Sequence, residues 1–310
     1  MKFKTVLVTG VAGFIGRYVS RFFSEHDIAV IGIDYAAPEN APLTNLSSYH
    51  RLKLPDLGFN KLLKDSNPQI CIHCAGTASV GLSLTDPHSD FYTNAVLTFE
   101  VLNSLRLHAP SCRFIFLSSA AVYGNPQSLP IFETHPTVPI SPYGFHKWEA
   151  EKICTEFSNV FGLKTAILRI FSAYGPGLRR QVIWDICQKA FTQTTLKLQG
   201  TGNESRDFIH ALDIARAIFQ VSHSAPLQGE IYNLASGDEI TIAELSAIVL
   251  EALEYKGPSP QFDGMVPKGT PLNWRADITR LKDIGFNASV PFKRGIQIFA
   301  NWCKAEFLGI

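Results

Sequence analysis

The chain lacks long apolar runs and any strong excess of charge of one sign. No segment approaches the ~20 apolar residues of a membrane-spanning helix, and the first residues lack the apolar core of a signal peptide. The formal net charge is +1, and no basic run is interleaved with aromatic residues. These absences predict a cytoplasmic protein that has neither a membrane nor a nucleic acid as partner.

Cysteine is also sparse, since six residues are scattered through 310 and form no disulfide framework. Cys71 and Cys74 have a spacing that occurs in redox and metal sites, but they fall in an apolar segment, 69–75, which predicts a strand. Residues three apart in a strand point to opposite faces, so two thiolates there could not share a ligand. The sequence therefore predicts buried core cysteines and no metal site.

Hydrophobic residues, in contrast, are abundant, at 46% of the chain. A chain of this length and composition can bury a large core, which suggests one large domain or two interleaved ones. We find no internal repeat and no low-complexity segment.

A glycine-rich turn follows the first apolar segment, 4–9, which predicts a strand buried on both faces. Gly10 would allow the tight turn, Gly13 the close approach of the backbone to a pyrophosphate, and Gly16 the packing of the next helix on the strand. The N-terminus of that helix would present free N–H groups and a positive dipole end to phosphates. The pattern predicts a dinucleotide site.

An acidic residue ends the second predicted strand, 29–33. Asp34 can hold both hydroxyls of an adenosine ribose, and it would repel a 2′-phosphate. Tyr35 follows it, with no arginine beside it. The sequence therefore favours NAD over NADP.

Tyr143 and Lys147 are four residues apart and lie on one face of a predicted helix. Ser141 can cap this helix, and Pro142 suits its first turn. An ammonium one turn away would lower the pKa of the phenol and make the tyrosine a usable base. Any long helix can carry such a pair on a solvated face, so the pair gains its weight from the other motifs.

Four further segments complete the pattern, at 114–124, 165–177, 206–215 and 275–277. With the glycine turn, Asp34, Tyr143 and Lys147, the chain resembles the NAD-dependent sugar-nucleotide epimerase/dehydratase family of extended short-chain dehydrogenase/reductases. Within that family it resembles the 4-epimerases of UDP-glucose and UDP-galactose. The resemblance covers nearly the whole chain.

The resemblance implies an α/β fold, in which a Rossmann-like, doubly wound parallel sheet is joined by a smaller, discontinuous carboxy-terminal substrate-binding region. The NAD-binding domain would comprise residues 1–170, with a return segment at about 207–232. Residues 171–206 and 233–310 would form the sugar-nucleotide-binding region.

The resemblance also implies roles for individual residues. Ser119, which could otherwise be a simple turn or cap serine, Tyr143 and Lys147 would be catalytic. The cofactor site would comprise Gly10, Gly13, Phe14, Ile15, Gly16, Asp34, Leu54, Ala75, Gly76, Asn94, Ser118, Tyr143, Lys147 and Phe171. The substrate site would comprise Ser79, Ser119, Tyr143, Ser172, Arg180, Arg206, Lys268 and Arg275.

The implied reaction is epimerisation of a nucleotide-activated sugar, at C4, through transient oxidation to a 4-keto intermediate and return of hydride. Dehydratases of the family carry an acid directly after the catalytic serine or threonine, and here Ala120 and Ala121 stand in its place. This difference argues against 4,6-dehydration.

Two alternatives remain open. One is an NAD(P)H-dependent reductase of a nucleotide-bound 4-keto sugar, which would use the same three catalytic residues. The other is a non-catalytic NAD-sensing scaffold, because a fold alone does not fix a function. The resemblance further implies a homodimer through a four-helix bundle, formed by the helix near 86–107 and the helix that starts at Pro142.

Overall fold

A seven-stranded parallel sheet forms the centre of the protein in the computed structural model, which describes residues 3–40, 44–266 and 268–309. The strands of the chain are β1 Thr5–Thr9, β2 Ala29–Asp34, β3 Ser48–Arg51, β4 Ile70–His73, β5 Arg113–Ser119, β6 Thr165–Ile170, β7 Ser172–Tyr174, β8 Lys197–Leu198, β9 Ser205–His210, β10 Gln228–Leu234, β11 Glu239–Thr241 and β12 Gln261–Phe262. The α-helices are α1 Phe14–Ser24, α2 Leu57–Ser66, α3 Val80–Thr85, α4 Pro87–Phe91, α5 Leu97–His108, α6 Pro142–Phe161, α7 Gln181–Thr192, α8 Ala211–Ser224, α9 Ile242–Leu253, α10 Thr279–Asp283 and α11 Phe292–Leu308.

The strand order in the large sheet is β10-β6-β5-β4-β1-β2-β3, and every pairing in it is parallel. The order reverses between β1 and β4, because the chain runs outward from β1 to β3 and then returns to β4. Ligands of such sheets bind beyond the carboxyl ends of the strands at this reversal. The predicted doubly wound fold is confirmed.

The two faces of the sheet bury alternate residues of the same strands, as the period of two in a strand requires. Val6 and Val8 pack on one face, under α1 and α8, whereas Leu7 packs on the other, under α2, α5 and α6. Cys71 and Cys74 likewise pack on opposite faces of β4. The predicted opposite faces are confirmed, but the prediction that both cysteines are buried holds only for Cys71. Cys74 is half-buried, because the strand ends at His73 and Cys74 lies at its carboxyl end.

The carboxy-terminal elements form a second layer with its own core. Strands β7 and β11 flank β9 in a three-stranded sheet, and β8 pairs with β12. Helices α7, α9 and α11 pack together around buried Ile186, Leu245 and Phe299. Of the predicted return segment, β10 joins the large sheet and α8 packs on α1, while β9 belongs to the small sheet. The exact division of the chain remains a prediction.

The helical segment before β5 has an unusual centre. Between α4 and α5, Tyr92–Val96 forms a π-helical turn, and this turn carries the buried Asn94. Such turns are often found at functional sites, because the extra residue changes the direction of a side chain. None of the helices in the described ranges is both long and apolar enough to cross a membrane.

Candidate active site

A cleft of about 750 Å³ opens at the carboxyl ends of β1, β4, β5 and β6, between the large sheet and the carboxy-terminal layer. Most of the predicted site residues line it. They are Gly10, Gly13, Phe14, Ile15, Gly16, Ala75, Gly76, Ser79, Ser118, Ser119, Tyr143, Lys147, Phe171, Ser172, Arg180 and Arg206.

The glycine turn forms one wall of this cleft. Gly10 has a φ of +67°, and a Cβ there would lie 2.6 Å from the backbone nitrogen of Ala75. A Cβ on Gly16 would lie 2.2 Å from the carbonyl oxygen of Gly10. Helix α1 begins at Phe14, and Gly13 before it provides no side-chain cap, so the first N–H groups of the helix are available to an anion. A cradle that any Cβ would fill, beside free N–H groups, fits the pyrophosphate of a dinucleotide.

Asp34 lies at the end of β2 and fixes the glycine turn. The backbone N–H of Ala12 donates to its Oδ2 at 3.0 Å, and that of Ala36 donates to its Oδ1 at 3.1 Å. These bonds leave each carboxylate oxygen with lone pairs for a further donor. Asp34 is not among the described residues that line the cleft, although the turn that it holds is.

The predicted catalytic helix forms as expected. The Oγ of Ser141 accepts from the N–H of Gly144 at 3.2 Å, and Pro142 occupies the first turn. Tyr143 and Lys147 are both buried and line the cleft on one face of α6. Ser119, at the end of β5, hydrogen-bonds the side chain of Tyr143 and also accepts from the N–H of Ala121.

The pKa of Tyr143 corrects one expectation. Burial raises this pKa, while the hydrogen bond with Ser119 and the charge of Arg180 oppose the rise. The prediction that Lys147 lowers the pKa is wrong, because burial dominates and the groups that do lower it are Ser119 and Arg180. Burial also lowers the pKa of Lys147, to about 8.

Lys147 is held by the sheet rather than by the tyrosine. Its Nζ donates to the carbonyl of Leu117 at 2.9 Å and lies 4.8 Å from the centre of the Phe116 ring. The remaining two N–H groups of the ammonium can meet a ligand in the cleft.

A buried ion pair supports the same helix, and the sequence reasoning missed it. Glu151, one turn beyond Lys147, binds Arg169 of β6 through two hydrogen bonds of 2.7 and 2.9 Å. Ser118, which lines the cleft, donates its hydroxyl to Glu151 at 2.6 Å, so this hydroxyl belongs to the same buried cluster. An arginine within an otherwise apolar strand pattern could have indicated a buried acidic partner.

Asn94 lies behind the cofactor side of the cleft. Its Nδ2 donates to Thr77 at 3.0 Å and to Asp90 at 3.2 Å. Its Oδ1 is buried without a hydrogen-bond partner among the described residues, and a Cβ on Gly76 would lie 2.8 Å from it. The side chain is thus fixed next to a wall of the cleft without lining it.

Arg206 lies on the substrate side. Its guanidinium donates to the carbonyls of Ser205, Pro271 and Leu272 at 2.7 to 2.9 Å and lies over the ring of Trp274 at 5.5 Å. Burial lowers the pKa of Arg206 to about 10. These three bonds use only part of the five N–H donors of the guanidinium, and the residue lines the cleft.

Three other predicted substrate residues lie at the ends of secondary-structure elements. Arg180 precedes α7 and donates to the carbonyl of Ala78. Ser79 caps α3 by accepting from the N–H of Leu82 at 3.2 Å, and Ser172 begins β7. All three line the cleft.

The structure does not bring every predicted residue to the site. Within the described ranges, the lining of the cleft includes neither Lys268, which is exposed, nor Arg275, which is half-buried. Leu54 packs against the core on the α2 side of the sheet. Sequence correspondence alone could not show how the loop around Lys268 folds.

Comparisons with known proteins agree with this geometry. The model of the "NAD dependent epimerase/dehydratase family" matches residues 6–235. A UDP-glucuronate 4-epimerase of Thermodesulfobacterium geofontis is 28% identical, over 96% of this chain and 95% of its own. The match to the family model confirms the resemblance and its NAD cofactor.

Solved structures are similar over the full length. The UDP-N-acetylglucosamine 4-epimerase of Methanobrevibacter ruminantium M1, in complex with UDP-N-acetylmuramic acid, has a TM-score of 0.88 at 28% identity, covering 99% of this chain and 100% of its own. The UDP-glucose 4-epimerase of Thermus thermophilus, in complex with NAD, has a TM-score of 0.85 at 26% identity, covering 97% and 99%.

Proposed function

Since the chain belongs to the NAD dependent epimerase/dehydratase family, we propose that it epimerises a UDP-activated sugar at C4 with bound NAD. The proposal depends on one observation: Ser119, Tyr143 and Lys147 line the same cleft as the glycine turn. The names of the similar proteins support the reaction at C4 and the UDP group.

The residues present fit NAD, and each side of the cleft would hold one part of it. The N–H groups at the start of α1 would bind the pyrophosphate, and Asp34 would accept from the hydroxyls of the adenosine ribose. Lys147 would donate to the nicotinamide ribose. NAD held there would supply the redox chemistry, which is the reversible transfer of hydride from the sugar carbon.

The protein's own groups supply the proton transfer. Ser119 would donate a hydrogen bond to the reacting sugar hydroxyl, and Tyr143 would remove its proton. Tyr143 acts as the base in its phenolate form, and burial raises its pKa. The phenolate fraction, and hence kcat/KM, should therefore rise as the pH increases toward that pKa. Arg180 opposes that rise in pKa and therefore assists the base.

The residues that follow Ser119 support epimerisation over dehydration. Ala120 and Ala121 are buried in a short 3₁₀ turn and carry no group that could transfer a proton. Elimination of water from the sugar would need such an acid at this place.

We also propose a homodimer through α4, α5 and α6. A groove of about 470 Å³ between these helices is lined by apolar side chains such as Phe91, Phe99, Trp148 and Ile153. Phe91 and Phe99 are each about two-fifths exposed, and Nε1 of Trp148 is buried without a partner among the described residues.

Sedimentation velocity should give a dimer for the wild type and a monomer for Phe99→Glu, whereas Leu57→Glu, at an exposed site on α2, should remain dimeric. A monomeric wild type would contradict this proposal.

The reaction is tested with purified protein and a panel of UDP-, GDP-, CDP- and dTDP-sugars, without added cofactor. We expect one UDP-sugar pair to reach the same equilibrium mixture from either epimer. Tyr143→Phe is the control, and it should lose at least about 100-fold in turnover while the protein remains folded. Reduction of a 4-keto sugar only when NADH is added would instead make the protein a reductase, and a Tyr143→Phe variant with full activity would remove the assigned base.

A further inference from the structure

A buried carboxylate connects the catalytic helix to the cofactor side of the cleft. Asp90, on α4, is 3% exposed and accepts from the hydroxyl of Thr77 at 2.7 Å and from Nδ2 of Asn94 at 3.2 Å. Its second oxygen lies 2.6 Å from Nδ1 of His146. One carboxylate thus joins the loop after β4, the π-helical turn and α6.

The first consequence concerns Asn94. Because its Nδ2 is shared between Asp90 and Thr77, its Oδ1 must point the other way, toward Gly76 at the wall of the cleft. That Oδ1 is buried and has no partner among the described residues. Asp90 therefore fixes which end of the amide faces the cofactor side.

The second consequence concerns α6. His146 lies between Tyr143 and Lys147 in the sequence, and its ring also packs edge-on against Phe91 at 5.3 Å. The bond from Asp90 to His146 therefore fixes the rotation of α6 at the turn that carries the two proposed catalytic side chains. A small displacement of such groups is costly, because proton transfer requires close alignment.

The third consequence is electrostatic. The charge of Asp90 raises the pKa of both Tyr143 and Lys147. Side chains on other elements also raise or lower these two pKa values, whereas α3 carries no titratable side chain. The groups acting on Tyr143 are Ser119, Arg180 and Asp90, and those acting on Lys147 are Asp90, Cys154, Cys74 and Glu151.

We propose that Asp90 and His146 are positioning residues that fix α6 and Asn94 and set the pH range in which Tyr143 acts as the base. The pH part rests on the proposed function. A purely structural polar cluster would affect stability alone, whereas a positioning pair also changes the pH profile and the cofactor content.

The charge is tested with Asp90→Asn, which keeps an oxygen for Thr77 and Asn94. Loss of the negative charge lowers the pKa of Tyr143, so the acid limb of the kcat/KM profile should move to lower pH. His146→Leu leaves the Asp90 carboxylate without its imidazole partner. The acid limb of the kcat/KM profile of this variant should therefore move to higher pH. Glu156→Gln and His88→Gln, both at exposed positions, are the matched controls and should keep the wild-type profile.

Opposite shifts of the two variants support the proposal. Unchanged profiles, or shifts in the same direction, overturn it. If Asp90→Asn does not fold, His146→Leu decides alone, since a shift to higher pH supports the proposal and any other result contradicts it.

A second measurement does not depend on turnover. Asp90→Leu removes the acceptor that orients Asn94, so the folded variant should retain at most about one-tenth of the wild-type NAD content, whereas Asp90→Asn should retain most of it. Equal NAD in all three proteins would overturn the positioning role. If the wild type binds NAD but converts no sugar, the proposed function fails while this readout still tests Asp90.

Discussion

The cofactor side and the substrate side of the cleft are built differently. On the cofactor side the backbone itself forms the surface, and the three atoms nearest to a Cβ on Gly10 would be backbone atoms of Cys74 and Ala75, at 2.6 to 2.8 Å. On the substrate side long side chains form much of the surface, and Arg206 and Arg180 are held by backbone carbonyls of distant segments. Where the backbone forms the surface, a substitution that adds a Cβ collides with it. Where side chains form the surface, a substitution can change one contact and leave the others in place. We infer that the fold fixes the cofactor and individual side chains select the sugar.

The largest effect should come from a single methyl group on the cofactor side. Gly10→Ala places a Cβ against the backbone of Ala75 and requires a positive φ that alanine disfavours by about 1 kcal/mol. Bound NAD should be lost, and turnover should fall by at least about 100-fold. Absorbance and chromatography of the released nucleotide measure the NAD content, and denaturant unfolding measures stability.

The control is a glycine with free space around it. A Cβ on Gly81, in α3, meets nothing within 4 Å. Gly81→Ala should retain NAD and be slightly more stable, because alanine favours a helix. If Gly10→Ala retained its NAD as well, the backbone surface would not be the determinant that we describe.

A smaller effect should follow on the substrate side. Arg206→Gln removes the guanidinium over Trp274, so KM for the nucleotide sugar should rise about 10- to 100-fold while the NAD content is unchanged. Arg206→Lys should recover only part of the affinity, because lysine lacks the planar fork.

Arg179→Gln is the matched control for Arg206, because Arg179 is exposed and binds Glu306 outside the described lining of the cleft. Its KM should equal that of the wild type. A loss of NAD in Arg206→Gln would show that the two sides are not independent.

The parts of the site that the sequence could predict are those built from residues close together in the chain. Gly10, Gly13 and Gly16 are close neighbours in the chain, so their pattern directly predicts a local structure, and the observed strand Thr5–Thr9 is within one residue of the prediction. Tyr143 and Lys147 share one helix turn for the same reason. Local patterns of this kind depend on short-range geometry alone.

Features that depend on long-range packing could not be predicted. Asp90 and His146 are 56 residues apart, and no local pattern joins them. The direction of the Tyr143 pKa required knowledge of its burial, which outweighs the nearby positive charge. Lys268 was expected at the substrate, but the fold of its loop leaves it exposed and outside the described lining of the cleft.

The most direct test of the central claim is the epimerase assay repeated in D₂O. If the hydrogen removed from C4 is held in the site and returned, NMR and mass spectrometry should show product without deuterium on any sugar carbon. Deuterium at C4, or at a neighbouring carbon, would mean that a carbon-bound proton exchanged with solvent. That result would contradict epimerisation by transient oxidation with Tyr143 acting only on the hydroxyl.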